Sequence, residues 1–332
     1  MAAPTRRRKQ MTAMQSRMIE SNGLRMRIAE AGRADGPLVI LAHGWPESWF
    51  SWRHQLSALA EAGYHAIAPD MRGFGGTDAP LSVQDYDIHH LVADMVGIVD
   101  KAAADQAVIV GHDWGSVVAW HSALLHPERF RAVVAMSVPH FGRPQAPPTQ
   151  IWKQRHGDDF YYILYHQQPG RAEAEYDANP EGLLRMLYAS PDSPRSAATI
   201  TNAHKDAGGW IGRWGQPLTL PDWISEAELA VYVNEFRAAG FRGGLNWYRN
   251  FDRNWELMKG VDEVIRVPAL FIVGDRDLVV AGMDQETIEK RMRPLVPDLS
   301  AIIWLKGAGH WIQQERPEEC NQALLKFLAQ LH

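Results

Sequence analysis

Cysteine is almost missing: Cys320 is the single one in 332 residues. No disulfide can therefore close within the chain, and its place in a C-terminal helical pattern reads as a packed thiol rather than a reactive one. A charge excess of one sign is also missing. A net charge of −5 with 22% charged residues gives no reason to expect nucleic acid or an anionic membrane as partner. The basic cluster Arg6-Arg7-Arg8-Lys9 is followed, from Gln10 to Ser16, by residues too polar for a secretory signal, so residues 1–16 read as a flexible tail. No apolar run approaches the ~18 residues of a membrane span. Pro69 to Asp78 is glycine-rich but lacks GxGxxG spacing into a helix and an acidic ribose partner, which excludes a dinucleotide site. These absences leave a soluble, cytoplasmic protein of a reducing compartment. It is long enough for a large core plus an insertion.

What is present is a rhythm of strands and helices. Continuous apolar runs predict buried strands at Leu38–Ala42, Val108–Gly111, Ala132–Met136, Ala269–Val273 and Ala301–Leu305, with shorter ones at Leu24–Ala29 and His65–Ala68. Helices fall between them, at Trp49–Glu61, at Ile88–Ala103, after Gly115, and from Arg316-Pro317-Glu318-Glu319 onward. Alternation with short connections indicates an α/β fold built on a mostly parallel, doubly wound sheet. The rhythm breaks at the proline-rich stretch Val138–Pro148. From there to about residue 250 the pattern is aromatic and helical, holding many of the chain's 13 tryptophans. Ser225 with Glu228 forms a capping box for a helix that Gly240 stops. The division expected is a core of residues 17–138 and 255–332, with an all-helical cap of residues 139–254 inserted between.

The chemistry centres on Gly111-His112-Asp113-Trp114-Gly115, where a strand turns sharply into a helix. This is the nucleophile-elbow pattern G-x-S-x-G with aspartate in the serine slot. A helix N-terminus favours an anion there. Serine attacking a saturated carbon would leave an ether that a neighbouring histidine cannot hydrolyse, whereas a carboxylate leaves an ester. With an ordinary pKa of about 3.9, Asp113 is ionised without a base, so the base is free to activate water afterwards. The competing reading is a helix N-cap. Two further residues follow predicted strands: Asp277, in Gly274-Asp275-Arg276-Asp277, and His310, in Gly307-Ala308-Gly309-His310-Trp311. Nucleophile, acid and histidine thus come in the order of an α/β-hydrolase. Asp275 is the rival acid, but Asp277 lies further into the loop.

With these residues in view, the sequence over 17–332 resembles the soluble epoxide hydrolases of the α/β-hydrolase fold. His43-Gly44-Trp45-Pro46-Glu47 resembles that family's HGxP turn, and the Asp113 elbow its nucleophile elbow. Phe160–Gly170 and Phe241–Asn250 resemble the two segments that hold its ring-opening tyrosines. The resemblance implies Tyr162 and Tyr248 for that role, with Tyr161 and Tyr165 as alternatives to Tyr162. It implies that both phenols, with the Trp114 side chain, contact an apolar epoxide, and that Asp113 opens the ring to give a hydroxyalkyl ester. His310, oriented by Asp277, would then activate water, and the backbone N–H groups of Trp45 and Trp114 would hold the oxyanion. No metal or organic cofactor is expected. The partners are the epoxide and water, with room for a homodimer. An ordinary imidazole would make the second step fade below about pH 6.5. Two alternatives stay open: a haloalkane dehalogenase, in which the Trp114 indole would bind halide, and a hydrolase-fold binding protein without turnover.

Overall fold

Side-chain alternation along each strand makes a sheet with two apolar faces. In the computed structural model, which describes residues 14–190 and 192–331, the first half of the chain forms β1 (Gln15–Ser21), β2 (Leu24–Ala31), β3 (Leu38–Ala42), α1 (Arg53–Glu61), β4 (His65–Pro69), α2 (Ile88–Lys101), β5 (Ala107–His112), α3 (Trp114–Leu125) and β6 (Phe130–Met136). Then come α4 (Pro148–His156), α5 (Tyr162–His166), α6 (Arg171–Ala178), α7 (Pro180–Tyr188), α8 (Glu226–Ala239), α9 (Arg242–Arg249) and α10 (Phe251–Leu257). The chain ends with β7 (Ala269–Gly274), α11 (Gln285–Met292), β8 (Leu299–Leu305), α12 (Ile312–Glu315) and α13 (Pro317–Leu328).

The eight strands form one sheet in the order β1-β2-β4-β3-β5-β6-β7-β8. Pairing is parallel from β4 through β8 and antiparallel at β1–β2 and β2–β4. Successive strand residues feed opposite cores. Val39, Leu41, Val108 and Val110 pack with Trp52, Leu56, Leu324 and Phe327 beneath α1 and α13. Leu38, Ile40 and Ile109 pack with Leu91, Met95 and Val118 of α2 and α3 on the other face.

β1 begins at Gln15, inside the stretch read as a tail; the basic run Arg6–Lys9 lies outside the described residues. β1 is joined to β2 by Asn22-Gly23, both at positive φ, which is the turn chemistry a two-residue hairpin requires. The segment between β6 and β7 is helical at both ends. Between Tyr188 and Glu226 its described residues carry only a 3-10 turn at Ile211–Arg213 and two isolated bridges, His204 to Asp159 and Arg195 to Pro217. Prolines and glycines at this density, Pro194, Gly208, Gly212 and Pro217 among them, interrupt any helix.

These helices sit over the loops that leave the sheet. The Tyr188 hydroxyl donates to the Pro46 carbonyl after β3 (2.6 Å), the Trp247 indole to the Arg72 carbonyl after β4 (3.0 Å), and the Trp311 indole after β8 donates back to Leu187 (2.9 Å). α8 starts at the Ser225–Glu228 box and stops at Gly240. Among the described residues no helix is long and apolar enough to cross a membrane.

Candidate active site

Asp113 occupies the turn between β5 and α3 at φ 53° and ψ −120°, a conformation costly for any residue with a Cβ. The turn closes only because its neighbours are glycine. A Cβ on Gly111 would stand 2.0 Å from the Gly115 carbonyl oxygen, and one on Gly115 would stand 1.9 Å from that of Ala42. Although Asp113 precedes the helix, its side chain does not cap it. Oδ1 instead accepts the Trp45 backbone N–H at 2.9 Å. Gly44 makes that approach possible, since a Cβ there would stand 2.4 Å from the same oxygen. The cis Trp45–Pro46 bond follows directly. Among the described residues no hydrogen bond runs from the Trp114 backbone N–H to Asp113, so one of the two expected oxyanion donors is seated on the carboxylate.

His310, in the loop after β8, places Nε2 3.6 Å from Asp113 Oδ2, and Nδ1 3.0 and 3.1 Å from the two Asp277 oxygens. Asp277 is buried, while Asp113 and His310 keep 16% and 22% of their side-chain surface open, so an entering molecule can reach the pair. Asp277 also accepts the Val279 N–H; it caps a turn and orients the imidazole at once. Asp275 instead accepts the Gly307 N–H at 2.7 Å and ties the two loops together.

Burial opposes charge on all three groups, yet their mutual attraction prevails. The His310 pKa stands well above its ordinary value because the Asp277 and Asp113 carboxylates outweigh the cost of burial. Those of Asp113 and Asp277 are lowered for the reciprocal reason, the nearby Ser137 hydroxyl adding to the pull at Asp277. At neutral pH the resting group is two carboxylates around an imidazolium.

Across from the carboxylate, Tyr162 at the start of α5 and Tyr248 in α9 bring their rings to 6.1 Å. Burial, reinforced by neighbouring phenols and by the Asp113 charge, raises both pKa values well above 10, so both hydroxyls are donors. Tyr161 stacks on His156 at 4.1 Å, and the Tyr165 hydroxyl donates to Glu175 at 3.0 Å. Neither is turned to the carboxylate. The Trp114 ring meets that of Tyr248 edge-on at 5.3 Å. Trp114 and Phe251 also line a separate, largely apolar cavity of about 310 Å³.

Three contributors were not singled out from sequence. Ser137, at φ 77° just past β6, sets its Oγ 3.0 Å from His310 Nδ1. Buried Glu47 accepts from Gly44 N–H (2.8 Å), Gln313 (2.8 Å) and His112 Nδ1 (2.7 Å). His112 Nε2 in turn holds the His310 carbonyl at 2.8 Å, so one carboxylate locks together the loops after β3, β5 and β8. Glu47 and His112 lie inside the motifs themselves, but nothing in their spacing marks them as partners. Among the described residues no cluster of His, Cys, Asp or Glu could hold a metal ion.

The α/β-hydrolase fold family matches residues 37–317. The chain is 48% identical to epoxide hydrolase A of Mycobacterium tuberculosis, across 97% of this chain and 99% of that protein. The chain belongs to the epoxide hydrolases of the α/β-hydrolase fold. A pig bifunctional epoxide hydrolase 2 is 39% identical over 92% of this chain and 53% of its own length. Among solved structures, epoxide hydrolase A of Mycobacterium thermoresistibile superposes with a TM-score of 0.90 at 44% identity, covering 96% of this chain and 99% of that one. This epoxide hydrolase therefore shares its frame with that solved relative over 96% of its length.

Proposed function

We propose that this chain hydrolyses epoxides to vicinal diols through an ester on Asp113. The observation that carries the reading is a carboxylate that does not cap its own helix. It is held on one oxygen by the Trp45 N–H and faced by two phenols that keep their protons. Tyr162 and Tyr248 donate to the epoxide oxygen as charge develops on it, and Asp113 attacks a ring carbon to form the hydroxyalkyl ester. Esterification neutralises Asp113, so His310 gives up its proton more readily. Oriented by Asp277, it takes a proton from water as the water attacks the ester carbonyl. The Trp45 N–H, joined by that of Trp114, stabilises the tetrahedral oxyanion; as it collapses the acyl C–O bond breaks, His310 returns the proton to the departing oxygen, and the diol leaves.

Residues 139–254 act as a cap over a core of residues 17–138 and 255–332. Its aromatic lining suits apolar epoxides. A dehalogenase reading, in which the Trp114 indole holds a halide, has no use for the two protonated phenols that face Asp113. Incubation with aryl and alkyl epoxides, and with haloalkanes of matched size, tests the assignment. Diol from the epoxides alone supports it, and halide release with no diol reverses it.

A further inference from the structure

His166 lies one helical turn beyond Tyr162, on the face of α5 that Tyr162 presents to the site. Its ring meets those of Tyr248 at 4.6 Å, Trp45 at 5.2 Å and Tyr162 at 5.5 Å. It is fully buried, and burial, followed by the Arg249 charge, holds its pKa well below the ordinary value. The imidazole is neutral and carries one proton.

The hydrogen bonds say where that proton is. His166 Nε2 lies 2.9 Å from the Tyr176 hydroxyl, whose pKa is raised well above 10 by burial and nearby acidic groups. Among the described residues that hydroxyl has no other hydrogen-bond partner. If Nε2 carried the proton, the buried Tyr176 O–H would be left without an acceptor, at the cost of a lost hydrogen bond. The satisfied arrangement has Tyr176 donating to Nε2, which places the imidazole proton on Nδ1. His166 Nδ1 is itself buried and makes no hydrogen bond among the described residues, and the same is true of the Trp45 indole N–H on the adjoining ring. His121 in α3 shows the usual alternative: its Nδ1 bonds the carbonyl four residues back, Val117, at 2.7 Å. His166 makes no such bond to Tyr162. Buried donors are seldom left unanswered in a folded protein, and two on touching rings beside the ring-opening phenols point to one acceptor.

We propose that His166 Nδ1–H and the Trp45 indole N–H form a second polar subsite, which receives an acceptor oxygen carried by the substrate close to the oxirane. The favoured class is then epoxides bearing an ether or carbonyl oxygen one carbon removed from the oxirane ring, glycidyl ethers above all, rather than plain hydrocarbon epoxides. The inference rests on the epoxide hydrolase reading and adds a determinant of specificity to it. Sites built to hydrogen-bond a substrate oxygen discriminate against the analogue that lacks it, because their buried donors are then left unpaired.

Phenyl glycidyl ether and 4-phenyl-1,2-epoxybutane differ by an ether oxygen in place of a methylene. The ratio of their kcat/KM values, compared between the native chain and His166→Phe, cancels their intrinsic difference in reactivity. The ratio should fall about five- to tenfold in His166→Phe, and His166→Asn, whose amide can take the place of Nδ1–H, should recover part of it. An unchanged ratio in His166→Phe overturns the proposal. If that variant does not fold, inhibition of the native chain by the two product diols decides. The phenoxy diol should bind at least threefold more tightly than its phenylbutane counterpart, and equal binding overturns the subsite. Failure of the native chain to turn over either epoxide would sink the functional reading instead.

Discussion

Replacing His310 by glutamine should separate the two halves of the reaction. Ring opening draws on the Asp113 carboxylate and the Tyr162 and Tyr248 phenols, none of which requires His310 as a base. Glutamine retains a polar group beside Asp113 but cannot take a proton. In the native site His310 Nε2 stands 3.6 Å from Asp113 Oδ2, within one water of the ester carbon that Asp113 becomes. A positioned general base is worth roughly 10²–10⁴ in rate, or about 3–5 kcal/mol of barrier at about 1.4 kcal/mol per decade. Losing the imidazolium also removes a contact that holds Asp113 ionised, so alkylation should slow at pH 7, but by less than about tenfold. On mixing with styrene oxide, intact-mass spectrometry should show a burst of one adduct whose added mass equals the whole substrate, persisting as diol release falls about 10³-fold. Diol formation within tenfold of the native rate with no adduct would refute the reasoning.

Tyr162→Phe or Tyr248→Phe alone should slow single-turnover alkylation by roughly 10²-fold, since each removes one donor from the developing alkoxide. The double variant should nearly abolish it, and an unchanged rate would remove both phenols from the mechanism. The pH dependence of ester hydrolysis follows from the raised pKa of His310. With Asp113 esterified, Asp277 alone still raises the His310 pKa against the cost of burial, and the base form accumulates as pH rises through the resulting midpoint. In Asp277→Asn burial is left to dominate, and the midpoint of the residual hydrolysis should move down; rapid-quench profiles that shift upward would contradict this. Gly115→Ala drives a Cβ to 1.9 Å from the Ala42 carbonyl oxygen and should cost several kcal/mol. A thermal melt within a degree or two of the native chain would show that the elbow has slack.

How much of this was legible in the sequence depends on how local the determining physics is. The parallel core was readable because β3, β5, β6 and β7 are buried on both faces and so consist of continuous apolar runs. β1 was not, because most of its residues are exposed and carry no alternation to detect. Its one local signal is the hairpin turn Asn22-Gly23. The order Asp113, Asp277, His310 was visible because each follows a strand, but the choice between Asp275 and Asp277 needed the loop's path, which sends the first to Gly307 and the second to His310. Tyr162 could not be told from Tyr161 or Tyr165 by spacing; what separates them is that the other two are turned to His156 and Glu175. Ser137, the Glu47–His112 link and the unanswered nitrogen of His166 depend on contacts between distant segments, and no short stretch of sequence announces those. The raised pKa of His310 at rest has the same origin, since it is set by carboxylates from two other loops.

The central claim is that the oxygen delivered to the diol comes from Asp113 and is replaced there by water. A single turnover in ¹⁸O-labelled water, followed by peptide mapping of the enzyme and mass analysis of the diol, tests it directly. The account predicts label in the peptide containing Asp113 and none in the diol. Label in the diol, with an unlabelled Asp113, would contradict it.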